Sequence, residues 1–263
     1  MLKHLIKYDA LAVQKRICVF YIISFVLALL CRICTWVSGS LLVEILFQIF
    51  RGALISMVVS TLINCLSLNW VRFSRNFYGD ESYLTHTLPV SRSQLFLSKT
   101  LVAMAMVVVS GIVLVACLFL ALYTKAGMEG LRALVSLVAQ TIDTSVTGFL
   151  FGVVLLVLLE LATILMVGFV GILLGYRRLS AKVGFSYLWG GLIYFGIQIG
   201  LVALIAIISV FSPAMRTLLV TTTAPTLSIF HTLIWVAAAY YAATTLGLYF
   251  LGRHLFSRGV NVE

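Results

Sequence analysis

Charge is what this sequence has least of. Lys, Arg, Asp and Glu make up 10% of its 263 residues, against about 25% in a soluble domain. No stretch is long and polar enough to fold by itself in water, so any soluble catalytic module has to come from another chain. No Gly-x-x-x-x-Gly-Lys-[Ser/Thr] phosphate loop occurs, which leaves this chain without an ATPase site of its own. An intramembrane serine protease would need a Gly-x-Ser-Gly setting, and the stretch from Gly184 to Ser186 lacks the second glycine. The eight acids are dispersed, which speaks against a metal-dependent lipid transferase. The four histidines (His4, His86, His231, His254) have no metal-ligand spacing, so no metal site is assigned. The chain is read as a non-enzyme. Proline is equally scarce: Pro89, Pro213 and Pro225 all fall between apolar runs, as they must where no water can replace a missing helix donor. A cleaved signal peptide is not expected, because basic residues are spread through MLKHLIKYDALAVQKR and no small-x-small site follows a short apolar core.

What is abundant is apolar length. Hydrophobic residues make up 62% of the chain, and they form long runs rather than a scatter. Six runs are long enough for a hydrocarbon core that takes about 20 helical residues. They cover 17–30 (extendable to Val37), 45–68, 100–123, 147–175, 183–211 and 231–251. The first is the weakest, since Arg32 interrupts its far end. With an N-terminus inside, 13 of the 18 basic residues flank the spans on the cytoplasmic side, and the other side holds Arg32, Arg51, Lys125, Arg132 and Arg216. The positive-inside rule therefore puts both termini in the cytoplasm. The expected fold is an all-α polytopic membrane protein, one transmembrane domain over residues 1–263 with six helices. The net charge of +10 is a topology signal. A nucleic-acid partner would want the basic residues on one folded face with stacking aromatics, and none is expected.

Three connecting segments are expected to lie on the membrane surface. Residues 1–16 form an interfacial elbow helix, with Leu2, Leu5, Ile6, Ala12 and Val13 on one side and Lys3, His4, Lys7 and Gln14 on the other. Asp9 lands on the apolar side, with Arg16 two turns later, as though facing a partner. A plain basic flank for the first span is the alternative. Residues 212–230 read as an extracytoplasmic interfacial or re-entrant element, since the apolar piece 218–224 is too short to cross. Loop 124–146 offers a short amphipathic piece around 131–140.

The cytoplasmic loop 71–99 carries most of the functional signal. Gly79 can stop one helix in a left-handed conformation, and Asp80 can cap the next. Pro89 closes a short helix over 80–88. Ser91 to Gln94 then has the Ser-x-x-Gln spacing of a capping box that opens the third span. The exposed side chains Glu81, Tyr83, Thr85, His86 and Arg92 suit contact with another protein, although an ordinary connecting loop with normal caps has the same local pattern.

GDESYLTHTLPVSRSQLFLSKTLVA, from Gly79 to Ala103, resembles the loop between the second and third helices of ABC-2 type permeases, the membrane subunits of bacterial ATP-binding-cassette exporters. MLKHLIKYDALA is similar to the start of many such permeases, and the Gly175-Tyr-Arg-Arg turn fits as well. The resemblance implies an ABC-2 (type V exporter-like) fold in a bacterial cytoplasmic membrane. Two permeases would pair, as identical or paralogous copies, each resting its first loop on a separate ATPase subunit that binds ATP and Mg. No cofactor would be bound by this chain. The loop would be the coupling helix, with Gly79, Asp80, Glu81, Tyr83, Leu84, Thr85, His86, Pro89 and Arg92 as its residues.

Inside the membrane, Glu160 is the one carboxylate deep in a span. Burying it ionised costs at least about 2.5–3.5 kcal/mol, so it faces protein or water or stays protonated. It is expected either to line the substrate path or to pair with a polar neighbour such as Gln198 or Asn64. Gly148/Gly152, Gly171/Gly175 and Gly196/Gly200 allow close helix approach, the last pair being the candidate subunit interface. The cysteines behave as small apolar residues. Spans with few fixed charges suit an amphipathic or lipid-like cargo drawn from membrane lipid: a peptide, a lipid or a drug. A standalone channel, scramblase or assembly scaffold without an ATPase partner is the competing reading, and such a protein has no need of a docking lever.

Overall fold

The computed structural model describes residues 2–37, 39–79, 81–83, 87, 90–123, 129–130, 133, 146–177, 181–211 and 227–257. Six long helices account for nearly all of these: α1 (Leu2–Trp36), α2 (Leu41–Tyr78), α3 (Arg92–Leu122), α4 (Val146–Gly175), α5 (Lys182–Phe211) and α6 (Leu227–Ser257). All six are long and apolar enough to cross a membrane, and they contain the six expected spans to within a residue. The protein is an all-α, multi-pass membrane protein. Lipid offers backbone groups no hydrogen bonds, so only a helix that satisfies its own is stable along such runs.

Residues 2–16 are not a separate element, because α1 continues unbroken to Trp36. The reason is local: no glycine or proline occurs between Leu2 and Trp36 to interrupt the helical bonds. At 35 and 38 residues, α1 and α2 extend about 52 and 57 Å, well beyond a core of about 30 Å. The tight α1–α2 connection depends on Gly39 at φ 145°, a conformation closed to other residues. Beyond it, the Ser40 carbonyl accepts from Val43 and Glu44. Of the expected 212–230 element, residues 212–226 lie outside the described residues, and 227–230 are the first turn of α6. Of loop 124–145 only Glu129, Gly130 and Ala133 are described, all helical.

By packing, the chain forms two compact units, Met1–Phe73 with Pro89–Ala133, and Ser74–Leu88 with Leu134–Glu263. In the first, α1 lies along α3. The buried face of α1 runs through Asp9, Val13, Ile17, Ser24, Ala28 and Cys31, the three-to-four spacing of one helix side. Ala28, Cys31, Leu54, Cys117 and Ala121 form an apolar cluster to which α2 contributes Phe47 and Phe50. Farther along, Tyr21 and Ser110 share a 2.7 Å hydroxyl bond, and Ser110 lies 3.3 Å from the Cys65 sulfur. Phe73 meets Phe96 edge to face, 6.1 Å between ring centres. The interruption at Arg32 is resolved at one end of the unit. Its guanidinium donates to the free carbonyl of Tyr123 and lies 5.6 and 5.5 Å from the ring centres of Trp36 and Tyr123. A cation thereby caps the negative C-terminal end of α3.

In the second unit α4 packs along both α5 and α6. Its contact with α5 is at backbone distance: a Cβ on Gly171 would stand 2.8 Å from the Ser186 carbonyl and 2.9 Å from Gly190 Cα. Gly175 meets Ser186 in the same way, and Gly152 abuts Ile234 of α6. Against α6, Thr163 and Thr245 share a buried 2.7 Å hydroxyl bond. The Gly196/Gly200 pair does not behave as one surface. Gly200 is occupied within the chain by the Tyr240 hydroxyl, while the space above Gly196 is open. Tyr240 is fixed there because its hydroxyl donates to the Ile197 carbonyl at 2.8 Å, so the close approach at Gly200 is made within the chain.

Candidate functional site

α2 ends at Tyr78, one residue before the expected stop at Gly79, but not by a left-handed turn. Gly79 lies outside the positive-φ region, and its amide still donates to the Arg75 carbonyl at 3.0 Å. Glycine is required for a different reason. A Cβ there would lie 2.9 Å from that same carbonyl oxygen, so any side chain would collide with the last helical turn. The chain then turns, Ser82 N–H donating to the Gly79 carbonyl at 2.9 Å, and Ser82 and Tyr83 are helical. Ser82 is buried, whereas Glu81 is exposed and Tyr83 is 72% exposed. Asp80, Leu84, Thr85, His86 and Pro89 lie outside the described residues, so the expected cap at Asp80 and break at Pro89 do as well.

The far side of the loop follows the sequence closely. Ser91 is the N-cap of α3, extended at φ −67° and ψ 146°, and its Oγ accepts from the Gln94 amide at 3.3 Å. The Gln94 side chain makes no return bond among the described residues, so half of the capping box is formed. Arg92, the first residue of α3, is exposed.

Within the second unit the loop's entry is held by aromatic contacts that the sequence did not reveal. Tyr78 stacks on Tyr176 with ring centres 4.1 Å apart, and Phe77 meets Phe256 edge to face at 4.5 Å. These rings tie the end of α2 to the turn after α4 and to the end of α6. Arg177, in the expected Gly175-Tyr-Arg-Arg turn, reaches the Leu255 carbonyl at 3.5 Å.

Of the intramembrane polar residues, Gln198 and Glu160 both lie beside Tyr241, and Asn64 bonds within its own helix. Asn64 spends its amide on its own helix, donating to the Ser60 carbonyl at 2.8 Å and to Ser60 Oγ at 3.3 Å. Gln198 accepts from the Tyr241 hydroxyl at 3.1 Å. Glu160, in the middle of α4, is half-buried and lies near enough to Tyr241 for an electrostatic interaction. Among the described residues it makes no hydrogen bond or ion pair, so its expected pairing with Gln198 or Asn64 is not formed. The Tyr240–Tyr241 step on α6 was the missed element here. Its signal was present as two adjacent phenols amid alanine, in a span where each buried hydroxyl needs an acceptor.

Asp9 was also misread. It is buried inside the chain rather than turned to a partner, and its Oδ1 accepts from Lys99 at 2.6 Å and from Arg72 at 2.9 Å. Arg16 is exposed, and Ile17 takes the buried position. Comparison with protein-family models, with curated proteins and with solved structures finds no match.

Proposed function

We propose that this chain is the permease subunit of an ATP-binding-cassette exporter of a bacterial cytoplasmic membrane, of the ABC-2 type. In this reading both termini and the loop 79–92 face the cytoplasm, and the loop docks on a separate ATPase subunit that holds ATP and Mg. A second permease, identical or paralogous, completes the pathway, and the cargo is an amphipathic or hydrophobic molecule entering from the bilayer.

One observation carries the proposal. The loop belongs to both compact units: its described residues up to Tyr83 group with α4 to α6, while those from Val90 onward group with α1 and α3. On the first side it is gripped by Tyr78 on Tyr176 and Phe77 on Phe256. On the second it enters α3 directly through the Ser91 cap. A push on the exposed Glu81, Tyr83 and Arg92 would therefore be delivered to both sets of membrane helices. An ordinary connector would carry the same cap, so it is the ring contacts that set this loop apart.

The test is co-purification from native membranes. Tagged protein is expected to bring down a soluble nucleotide-hydrolysing subunit. Deleting 80–89 should abolish that association while all six spans still insert, as judged by accessibility of tags at each connection. A wild-type protein that never associates with such a subunit would return the chain to the class of channels, scramblases or scaffolds.

A further inference from the structure

The buried ion cluster at Asp9 lies in a part of the fold that the loop must pull on. Arg72 stands one helical stretch before Gly79, where α2 ends, and Lys99 stands two turns inside α3 beyond its Ser91 cap. The loop thus departs from one cation and returns to the other. A single oxygen, Asp9 Oδ1 of α1, binds both, at 2.9 Å to Arg72 and 2.6 Å to Lys99. The Asp9 and Lys99 side chains are each 8% exposed and that of Arg72 28%, so solvent does little to screen the attraction. Asp9 Oδ2 is buried with no hydrogen-bond partner among the described residues, which concentrates the whole ionic tie on one atom. Asp9 is also the one acid before Glu44, so α1 has no other acid to supply.

Removing Asp9 would leave the buried charge of Lys99 and Arg72 uncompensated, so the arrangement holds only while the three side chains stay together. We infer that Asp9 is a positioning residue that locks α2 at Arg72 and α3 at Lys99 to α1, so that these three stretches move as one body. The role assigned to that body rests on the exporter reading above: it is the fulcrum through which displacement of the loop reaches the first unit. The locking itself does not depend on that reading.

The experiment uses the full chain in nanodiscs with its five cysteines replaced by alanine. Spin labels are placed through Lys7→Cys with Gln94→Cys, and separately Lys7→Cys with Val71→Cys; all three positions are exposed. With Asp9 intact, each pair is expected to give one narrow distance distribution. Asp9→Asn keeps size and removes charge, and should broaden both distributions at least twofold. In the assembled complex it should lower transport at least tenfold while ATPase association and basal hydrolysis stay within twofold. The swap D9K/K99D again sets one acid between two bases, and should restore the narrow distances and at least half of transport.

Distances that stay narrow in Asp9→Asn overturn the inference, and so does a swap that remains as broad as the single variant. If Asp9→Asn cannot be purified, recovery of folded protein by the swap supports the ionic tie, and failure of the swap overturns it. Broadened distances and rescue in a chain that binds no ATPase would uphold the locking and reject the exporter reading.

Discussion

Replacing Gly171 by alanine tests whether α4 and α5 touch at backbone distance. A Cβ at this position would lie 2.8 Å from the Ser186 carbonyl oxygen and 2.9 Å from both the nitrogen and Cα of Gly190. Ordinary contact begins at 3.4 Å, and all three neighbours are main-chain atoms, so no rotamer change can relieve the clash. The helices must part by roughly half an ångström along several turns. Overpacking of this kind costs about 1–3 kcal/mol, and the better helix propensity of alanine returns about 1 kcal/mol. The net expectation is a loss of up to about 2 kcal/mol, centred near 1 kcal/mol and so roughly a fivefold shift in the folding equilibrium. Gly191→Ala is the control. It lies on α5 one residue beyond Gly190, and a Cβ there meets nothing within 4 Å, so propensity alone should make it neutral or stabilising by up to about 1 kcal/mol. Unfolding in mixed detergent micelles by titration with dodecyl sulfate, followed by the fluorescence of Trp189 and the other tryptophans, gives both values under one condition. Opposite signs are expected. Should Gly171→Ala prove as stable as Gly191→Ala, the close approach of α4 and α5 is wrong.

The same titration checks three further changes. Ala181 sits at φ 51° before α5, a conformation costing a side chain about 1–2 kcal/mol, so Ala181→Gly should stabilise by about 1 kcal/mol. Thr163→Val removes the buried bond to Thr245 and should cost about 0.6 kcal/mol, and no more than about 1.7. Arg32→Gln keeps a donor for the Tyr123 carbonyl but loses the charge over two rings, for a loss of about 1–2 kcal/mol.

The sequence revealed helices better than it revealed partners, for a physical reason. Lipid leaves a run such as Val183–Phe211 one stable backbone form, so composition decides the element. Ser91 was likewise legible because a cap acts within three residues. Asp9 shows the limit: its position on the apolar side of α1 follows from periodicity, yet what neutralises it lies 63 and 90 residues away. Gly79 shows another. A glycine at a helix end suggests a left-handed turn, but here the last turn stays regular and the carbonyl of Arg75 forbids a side chain. Gly171 and Gly200 both read as close-approach positions, and only packing tells that one meets α5 backbone and the other a tyrosine hydroxyl. In the loop itself the exposure of Glu81, Tyr83 and Arg92 was legible. The loop's grip on Tyr176 and Phe256 was not, because no local rule pairs rings a hundred residues apart.

Glu160 separates a structural from a transport role through one substitution. The three membrane helices of its unit carry no Lys or Arg between Thr147 and Gly175, Val183 and Phe211, or Thr232 and Leu251, so no base at its depth belongs to those helices. Glutamine has nearly the same size and hydrogen-bonding reach but cannot take a charge. If the carboxyl only fills space beside Tyr241, Glu160→Gln should unfold within about 0.5 kcal/mol of the parent and transport should be unchanged. If its charge is carried in the membrane for a cargo or a path, removing it should leave stability equal or higher, by up to the roughly 2.5–3.5 kcal/mol that insertion of a charge costs, while transport falls at least tenfold. A glutamine variant that is less stable by more than about 1 kcal/mol would refute both accounts, because it would mean that the carboxylate makes a stabilising bond that neither account includes. On the exporter reading the expected result is a loss of transport without a loss of stability, because among the described residues this carboxyl makes no hydrogen bond or ion pair that would give it a structural use.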